Sequence, residues 1–266
     1  MRPFFIEFMD LRSLWPGLRN TLRETLETAD SWPFRNYYRS TVQVIQAICE
    51  RLAPSHVIEL GAGSAPLTRL LSKAALPPGT RLIVCDYYPD VACYERLKHS
   101  SRQSVDFISS SVDFRKPYDW PEGALLVLSS TLHHVPFSER AQVLSGLVSR
   151  SNPVLVTESI RHNWKSFFMC LLGGPLAVLV TPLVRIGQPG RLRRCFWCWC
   201  TPVAMFCFVW DGLVSVWRCW SEKEWADWAA AQPRPPDLVL SPRLASLFVR
   251  IQSSAKSEFA QAAAPM

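Results

Sequence analysis

Val57-Ile58-Glu59-Leu60-Gly61-Ala62-Gly63-Ser64-Ala65-Pro66-Leu67-Thr68 is the stretch that decides the fold of this chain. An apolar strand runs into an acid and a pair of glycines, and a helix opens directly afterwards. The glycines let the backbone turn sharply and leave no Cβ where a ligand must pack against the chain. In an open α/β sheet, ligands bind outside the carboxyl ends of the strands, which is where this loop lies.

Outward from that loop, strands and helices alternate. A strand at 56–60 leads to a helix at 66–73, and a second strand at 81–85 ends on Asp86. A helix at 89–98 follows, with Pro89 in its first turn. Further strands are predicted at 105–110, 124–129 and 153–157, with a helix at 138–148 capped by Ser138. This order implies βαβ units and a doubly wound, mostly parallel Rossmann-like sheet, the α/β class. Upstream, Leu18, Leu22, Thr25 and Leu26 share one helical face; Val42, Ile45, Ile48, Cys49 and Leu52 form another, ended by Pro54. Trp32–Tyr38 is an aromatic-rich connection between them. Near the end, Ser221-Glu222-Lys223-Glu224 is a capping box, and strands at 237–240 and 246–251 complete the sheet. The resulting partition is a helical cap at 1–52, a Rossmann-like core at 53–160 and an apolar insertion at 161–220. Completing elements at 221–253 and a disordered tail at 254–266 follow.

Two details choose among nucleotides. A dinucleotide fold wants G-x-G-x-x-G, whose third glycine packs helix on strand. Here Gly61-Ala62-Gly63 is followed by Ser64-Ala65-Pro66, so that glycine is missing and a dehydrogenase is disfavoured. Glu59, two residues before the first glycine, instead suits a cationic ligand, which points to S-adenosylmethionine (SAM) rather than a pyrophosphate.

The stretch 59–65 resembles motif I of class I SAM-dependent methyltransferases, with Ala65 in place of the last glycine. Asp86 matches the acid that this family places at the end of strand two to bind both ribose hydroxyls. Asp113 matches the acid after strand three that faces the adenine amino group. Leu132-His133-His134-Val135 resembles a segment of small-molecule methyltransferases. The resemblance covers residues 56–157 in order. It implies a cofactor site built from Glu59, Gly61, Ala62, Gly63, Asp86, Tyr87, Asp113 and Ser129. Methyl transfer is an in-line displacement for which the protein chiefly supplies proximity and alignment. A base is needed only if the acceptor carries a departing proton. His133 is the first candidate, with a pocket wall as its alternative; His134, Glu158 and Asp211 follow.

Composition narrows the classes. With 48% hydrophobic and 19% charged residues, the chain is too apolar for extensive disorder. Twenty-nine Lys and Arg against 22 Asp and Glu leave a net charge of +7. The arginines cluster beside apolar segments, at Arg185, Arg191, Arg193 and Arg194, which favours lipid headgroups over nucleic acid. The start of the chain does not read as a signal peptide, because Glu7 and Asp10 interrupt its apolar run. The nine cysteines are read as reduced thiols in a cytoplasmic setting, at the inner face of a membrane if the protein meets one.

Residues 167–184 and 195–210 carry no charge, but Gly173-Gly174-Pro175, Pro182 and Pro202 interrupt them. A hairpin dipping into one leaflet, a lid over an apolar pocket, and a two-span anchor all fit. Asp211 is expected to pair with Arg218, or else to face the substrate. Cys195, Cys198 and Cys200 lack a second ligand pair and read as packing, with no metal. The function expected is methyl transfer from SAM to a small hydrophobic acceptor, with peripheral membrane contact. The rival is a non-catalytic protein of the same fold that uses the insertion to bind a partner.

Overall fold

The computed structural model describes residues 4–11, 13–30, 37–101, 103–148, 152–232, 236–242 and 247–252. Most of the aromatic connection and the expected tail lie outside them. The chain divides into a helical unit, residues 1–37 and 160–219, and a sheet unit, residues 38–159 and 220–266.

Among the described residues, the sheet unit holds seven strands: β1 (His56–Leu60), β2 (Arg81–Cys85), β3 (Val105–Phe107), β4 (Leu125–Ser129), β5 (Val154–Glu158), β6 (Asp237–Pro242) and β7 (Leu247–Gln252). Their order is β3-β2-β1-β4-β5-β7-β6. The first five run parallel, and β7 is antiparallel to both β5 and β6. Helices α2 (Tyr37–Leu52), α3 (Pro66–Leu71), α4 (Val91–Ser100), α5 (Phe137–Val148) and α10 (Glu222–Ala230) accompany it. Central strands such as Leu125–Leu128 are buried at every residue, as expected of a parallel sheet covered on both faces. Chain order reverses between β1 and β4, so their carboxyl ends frame a crevice where α/β sheets take ligands.

Several local expectations shift. The third strand stops at Phe107 rather than 110, where its register with β2 ends opposite Val84. Helix α4 starts at Val91 because the Asp90 carboxylate accepts the Cys93 N–H at 3.0 Å; Pro89 stays outside. Helix α5 starts at Phe137, which puts Ser138 inside the first turn instead of at the cap. The capping box forms: Ser221 Oγ accepts from Glu224 N, and the Glu224 carboxylate accepts from Ser221 N at 2.8 Å. The two upstream helices, expected as one cap, fall in different units.

The helical unit comprises α1 (Pro16–Ala29), α6 (Trp164–Phe168), α7 (Gly174–Val184), α8 (Arg191–Cys195) and α9 (Val203–Arg218). Its core gathers Leu18, Leu22, Val178, Cys198, Ala204 and Cys207. Cys198 is thus a core residue, while Cys200 is exposed. Gly173-Gly174-Pro175 does not break the apolar segment. A π-turn at Met169–Gly173 joins α6 to α7 and accommodates the N–H that Pro175 lacks and the carbonyl its ring would strike.

Charges in this unit turn inward. Arg194 is fully buried and donates to the carbonyls of Arg185, Gln188 and Pro189 at 2.6–2.7 Å. Arg185 pairs with Glu27 at 2.9 Å and Arg193 with Glu24 at 2.7 Å. The expectation that these arginines meet phosphates is therefore corrected for Arg185, Arg193 and Arg194, whereas Arg191 is exposed. The Asp211–Arg218 pairing is corrected too. Seven residues apart on a helix, the two lie about 10 Å apart along the axis. Arg218 instead binds Glu7 at 3.1 Å and Asp10 at 3.0 Å. Asp211 accepts the N–H groups of Phe8 at 2.6 Å and Met9 at 3.2 Å. Burial, with Glu7 nearby, pushes its carboxyl up to about 7 against the pull of those two donors. That engagement places Asp211 in the unit's framework.

Candidate functional site

The glycine loop after β1 is held from several sides. Gly61 N and Ala62 N donate to Cys85 O at 3.0 and 3.1 Å, fastening the loop to the end of β2. Gly61 has φ +71°, and a Cβ there would stand 2.4 Å from Thr131 Cγ2, so only glycine fits. Gly63, at φ +56°, faces open space: a Cβ would meet nothing within 4 Å. Ala65 also takes the left-handed conformation, φ 53°, at the position where the methyltransferase motif has its last glycine. Tyr94 Oη donates to Gly63 O at 2.9 Å, and Arg69 to Ser64 O at 3.1 Å. Neither role is signalled locally, because both are helix residues of ordinary spacing.

Two acids flank this loop. Asp86 accepts Gly63 N at 2.8 Å on one oxygen and Tyr88 N at 2.6 Å on the other. Each oxygen of a carboxylate has a second lone pair, so the aspartate can close the loop and still accept from a diol. Glu59 is buried, and its carboxylate accepts from both the backbone N and the hydroxyl of Thr68 in α3. Burial outweighs those donors and pushes Glu59 up to about 7. The folded chain therefore holds this proton more tightly than the unfolded chain. The associated stability is complete below the ordinary value of 4.5 and is lost as pH rises through about 7. Glu59→Gln is expected to add on the order of 2 kcal/mol at pH 8 and to lose most of that gain by pH 5. Thermal unfolding at the two pH values checks this; an equal gain at both would exclude the buried charge as its cause.

Of the remaining expected residues, Tyr87 is exposed and rests edge-on against Tyr88, centroids 4.6 Å apart. Ser129 ends β4, and Ala62 is buried in the loop. Asp113 is already engaged: Arg115 grips it through Nε at 2.8 Å and Nη2 at 2.9 Å, which lowers its carboxyl below the usual range. That fork takes both oxygens, so an adenine amino group would have to share one of them.

The carboxyl ends of β4 and β5 bring a second group together. Ser129 is in register with Thr157, so the residues just beyond each strand converge. Leu132–His134 forms a 3-10 turn, and His133 Nδ1 meets Glu158 Oε2 at 2.7 Å with both side chains 6% exposed. A carboxylate on Nδ1 selects the tautomer with the proton there and the basic lone pair on Nε2. Buried Arg140 donates to Val135 O at 2.7 Å and His133 O at 2.8 Å, fixing the turn from behind. His134 stacks at a tilt on His133, centroids 4.3 Å apart.

No protein-family model matches the chain, and no curated protein matches it. Solved structures do match. Magnesium protoporphyrin IX methyltransferase from Synechocystis PCC 6803, with bound S-adenosylhomocysteine (SAH), superposes with a TM-score of 0.50 at 12% identity, covering 92% of this chain and 91% of that one. The fold is that of class I SAM-dependent methyltransferases. Plantazolicin methyltransferase BpumL, also in complex with SAH, gives a TM-score of 0.50 at 9% identity over 89% of this methyltransferase-fold chain and 98% of its own. Small RNA methyltransferase HEN1 gives 0.51 at 11% identity over 81% of this chain and 25% of that one.

The cradle fits the cofactor that this fold implies. Gly63 opens to space, the backbone turns tightly at Gly61, and the flanking charges are acids. Asp86 keeps lone pairs for a ribose diol, whose hydroxyls are donors that a carboxylate accepts.

Proposed function

We propose that this chain binds SAM at Glu59, Gly61, Ala62, Gly63 and Asp86, with Tyr87, Asp113 and Ser129 around it, and methylates a small hydrophobic acceptor. The observation carrying the proposal is Asp86, tied to Gly63 at 2.8 Å with lone pairs to spare on an open glycine loop. When bound, SAM supplies an electrophilic methyl group on a sulfonium. The chain's own residues orient the two reactants, and His133, aligned by Glu158, takes the proton of an acceptor hydroxyl or amine. Glu158, a runner-up base from the sequence, becomes the residue that positions His133.

The matched folds bear names that differ in acceptor, a porphyrin in one and small RNA in another. Composition favours the small hydrophobic class. Arg185, Arg193, Arg194 and Arg218 spend their guanidiniums inside the helical unit, leaving no phosphate-tracking row among them.

Calorimetric titration with SAM and SAH tests the cofactor. Wild type is expected to bind at micromolar Kd, and Asp86→Ala to weaken binding by at least about tenfold, roughly 1.4 kcal/mol. Gly61→Arg is expected to abolish it. A folded wild type that takes up neither ligand would overturn the proposal. A protein that binds SAM but methylates nothing in a screen of hydrophobic phenols, quinols and acids would favour the non-catalytic rival.

A further inference from the structure

Along α6 and α7 the helical unit is patterned inside out. Facing inward are Gly174, Ala177, Val178 and Thr181; facing outward at 3–4 residue spacing are Phe168, Leu172, Leu176, Leu179 and Leu183. A helix bordering water places its largest apolar side chains inward. Here the small residues are inside, and Leu172 stands 71% exposed. The same inversion continues with Leu192, 85% exposed, and with Phe196 and Phe206. Small residues also permit close helix approach: a Cβ on Gly174 would lie 3.2 Å from Val209, and one on Gly212 3.1 Å from Cys170 Sγ. Helices that associate within lipid use this device.

We propose that this face of the helical unit seats in one leaflet of an anionic bilayer. Charge supports that occupant. Asp211 is the sole acid between residues 160 and 219, and it is buried. The exposed charges of the segment are the cations Lys165 and Arg191, and Lys165 lies 5.8 Å over the ring of Trp164, itself 68% exposed. An apolar face rimmed by tryptophan and cations matches the headgroup boundary of an anionic membrane.

Seating in one leaflet follows from the packing. Trp164–Val184 is 21 residues long, about 31 Å of helix, enough to span hydrocarbon. Yet α7 packs against α1, whose sequence includes Arg19, Arg23, Glu24 and Glu27. Spanning would carry these charges into the bilayer, at a steep cost per ionised group. A helix with one charged neighbour and one greasy face is satisfied at the interface.

The test is flotation of the full chain with vesicles, combined with SAH titration of the same samples. Wild type is expected to float with vesicles of phosphatidylcholine and phosphatidylglycerol, more weakly with phosphatidylcholine alone, and to remain partly bound at high salt. Leu172→Glu combined with Leu192→Glu and Phe206→Glu is expected to reduce partitioning at least about tenfold with SAH affinity unchanged. A wild type that binds SAH yet never floats would overturn the membrane proposal. So would a discrete lipid-free oligomer dissolved by the same substitutions, which would assign the face to a second copy. The cofactor proposal fails separately, if the protein floats and takes up no SAH.

Discussion

Gly61→Ala is expected to destabilise the sheet unit by about 3 kcal/mol, combining left-handed strain with overpacking. The new methyl would stand 2.4 Å from Thr131 Cγ2, and neither partner can withdraw easily. Gly61 is fastened through its N–H to Cys85 O. The Thr131 hydroxyl lies 3.2 Å from Gly61 O and 3.0 Å from Ser129 O. Thr131→Ser removes the clashing methyl and should cost about 1 kcal/mol alone. Combined with Gly61→Ala, it leaves the backbone strain but relieves the clash. The double variant should therefore fall short of the summed losses by about 1 kcal/mol or more. Urea unfolding of the four proteins gives the coupling. Additivity within about 0.5 kcal/mol would mean that the loop moves away instead of clashing, and that the turn is softer than its geometry implies.

That rigid turn was the most legible part of the chain. β1 and β2 lie at the residues expected, because each is a short apolar run stopped by a glycine or an acid where its neighbour also stops. What sequence pattern missed depends on partners distant in the chain. Asp211 and Arg218 were each rightly marked as buried polar groups, but their partners lie in residues 5–10, about two hundred positions away and invisible to local spacing. Nothing in the local sequence marks Arg140 as buried. Its burial is intelligible only once the 3-10 turn leaves the carbonyls of His133 and Val135 needing a donor. Asp113 was matched by position to adenine, yet Arg115 two residues later offered a local fork that pattern matching passed over. The arginine cluster misled in the opposite sense: it marked charge correctly but not the acids Glu24 and Glu27 on α1 that absorb it. Gly173-Gly174-Pro175 misled because breaker residues report a missing hydrogen bond, and a π-turn tolerates one without ending the helix.

After β4, His133 is paired with Glu158, and the largest catalytic effect should follow from breaking that bond. For an acceptor methylated on oxygen or nitrogen, His133→Ala is expected to lower kcat by about 10²–10⁴, the usual contribution of a positioned general base. Glu158→Gln is the sharper variant. It preserves volume and hydrogen bonding at 2.7 Å from Nδ1, but an amide can donate where the carboxylate only accepts. The imidazole then has reason to move its proton to Nε2, which removes the basic lone pair from the side meant to use it. A loss of about 10²-fold or more in kcat with little change in KM is expected. Because the two residues act as one unit, the double variant should be scarcely worse than His133→Ala alone. SAH affinity supplies the control. Both variants should retain it within about threefold, or roughly 0.7 kcal/mol, since neither residue belongs to the glycine loop. If Glu158→Gln left turnover intact, or if both variants lost SAH binding in step with activity, the pair would be a structural brace between the ends of β4 and β5, and proton removal would have to be sought elsewhere.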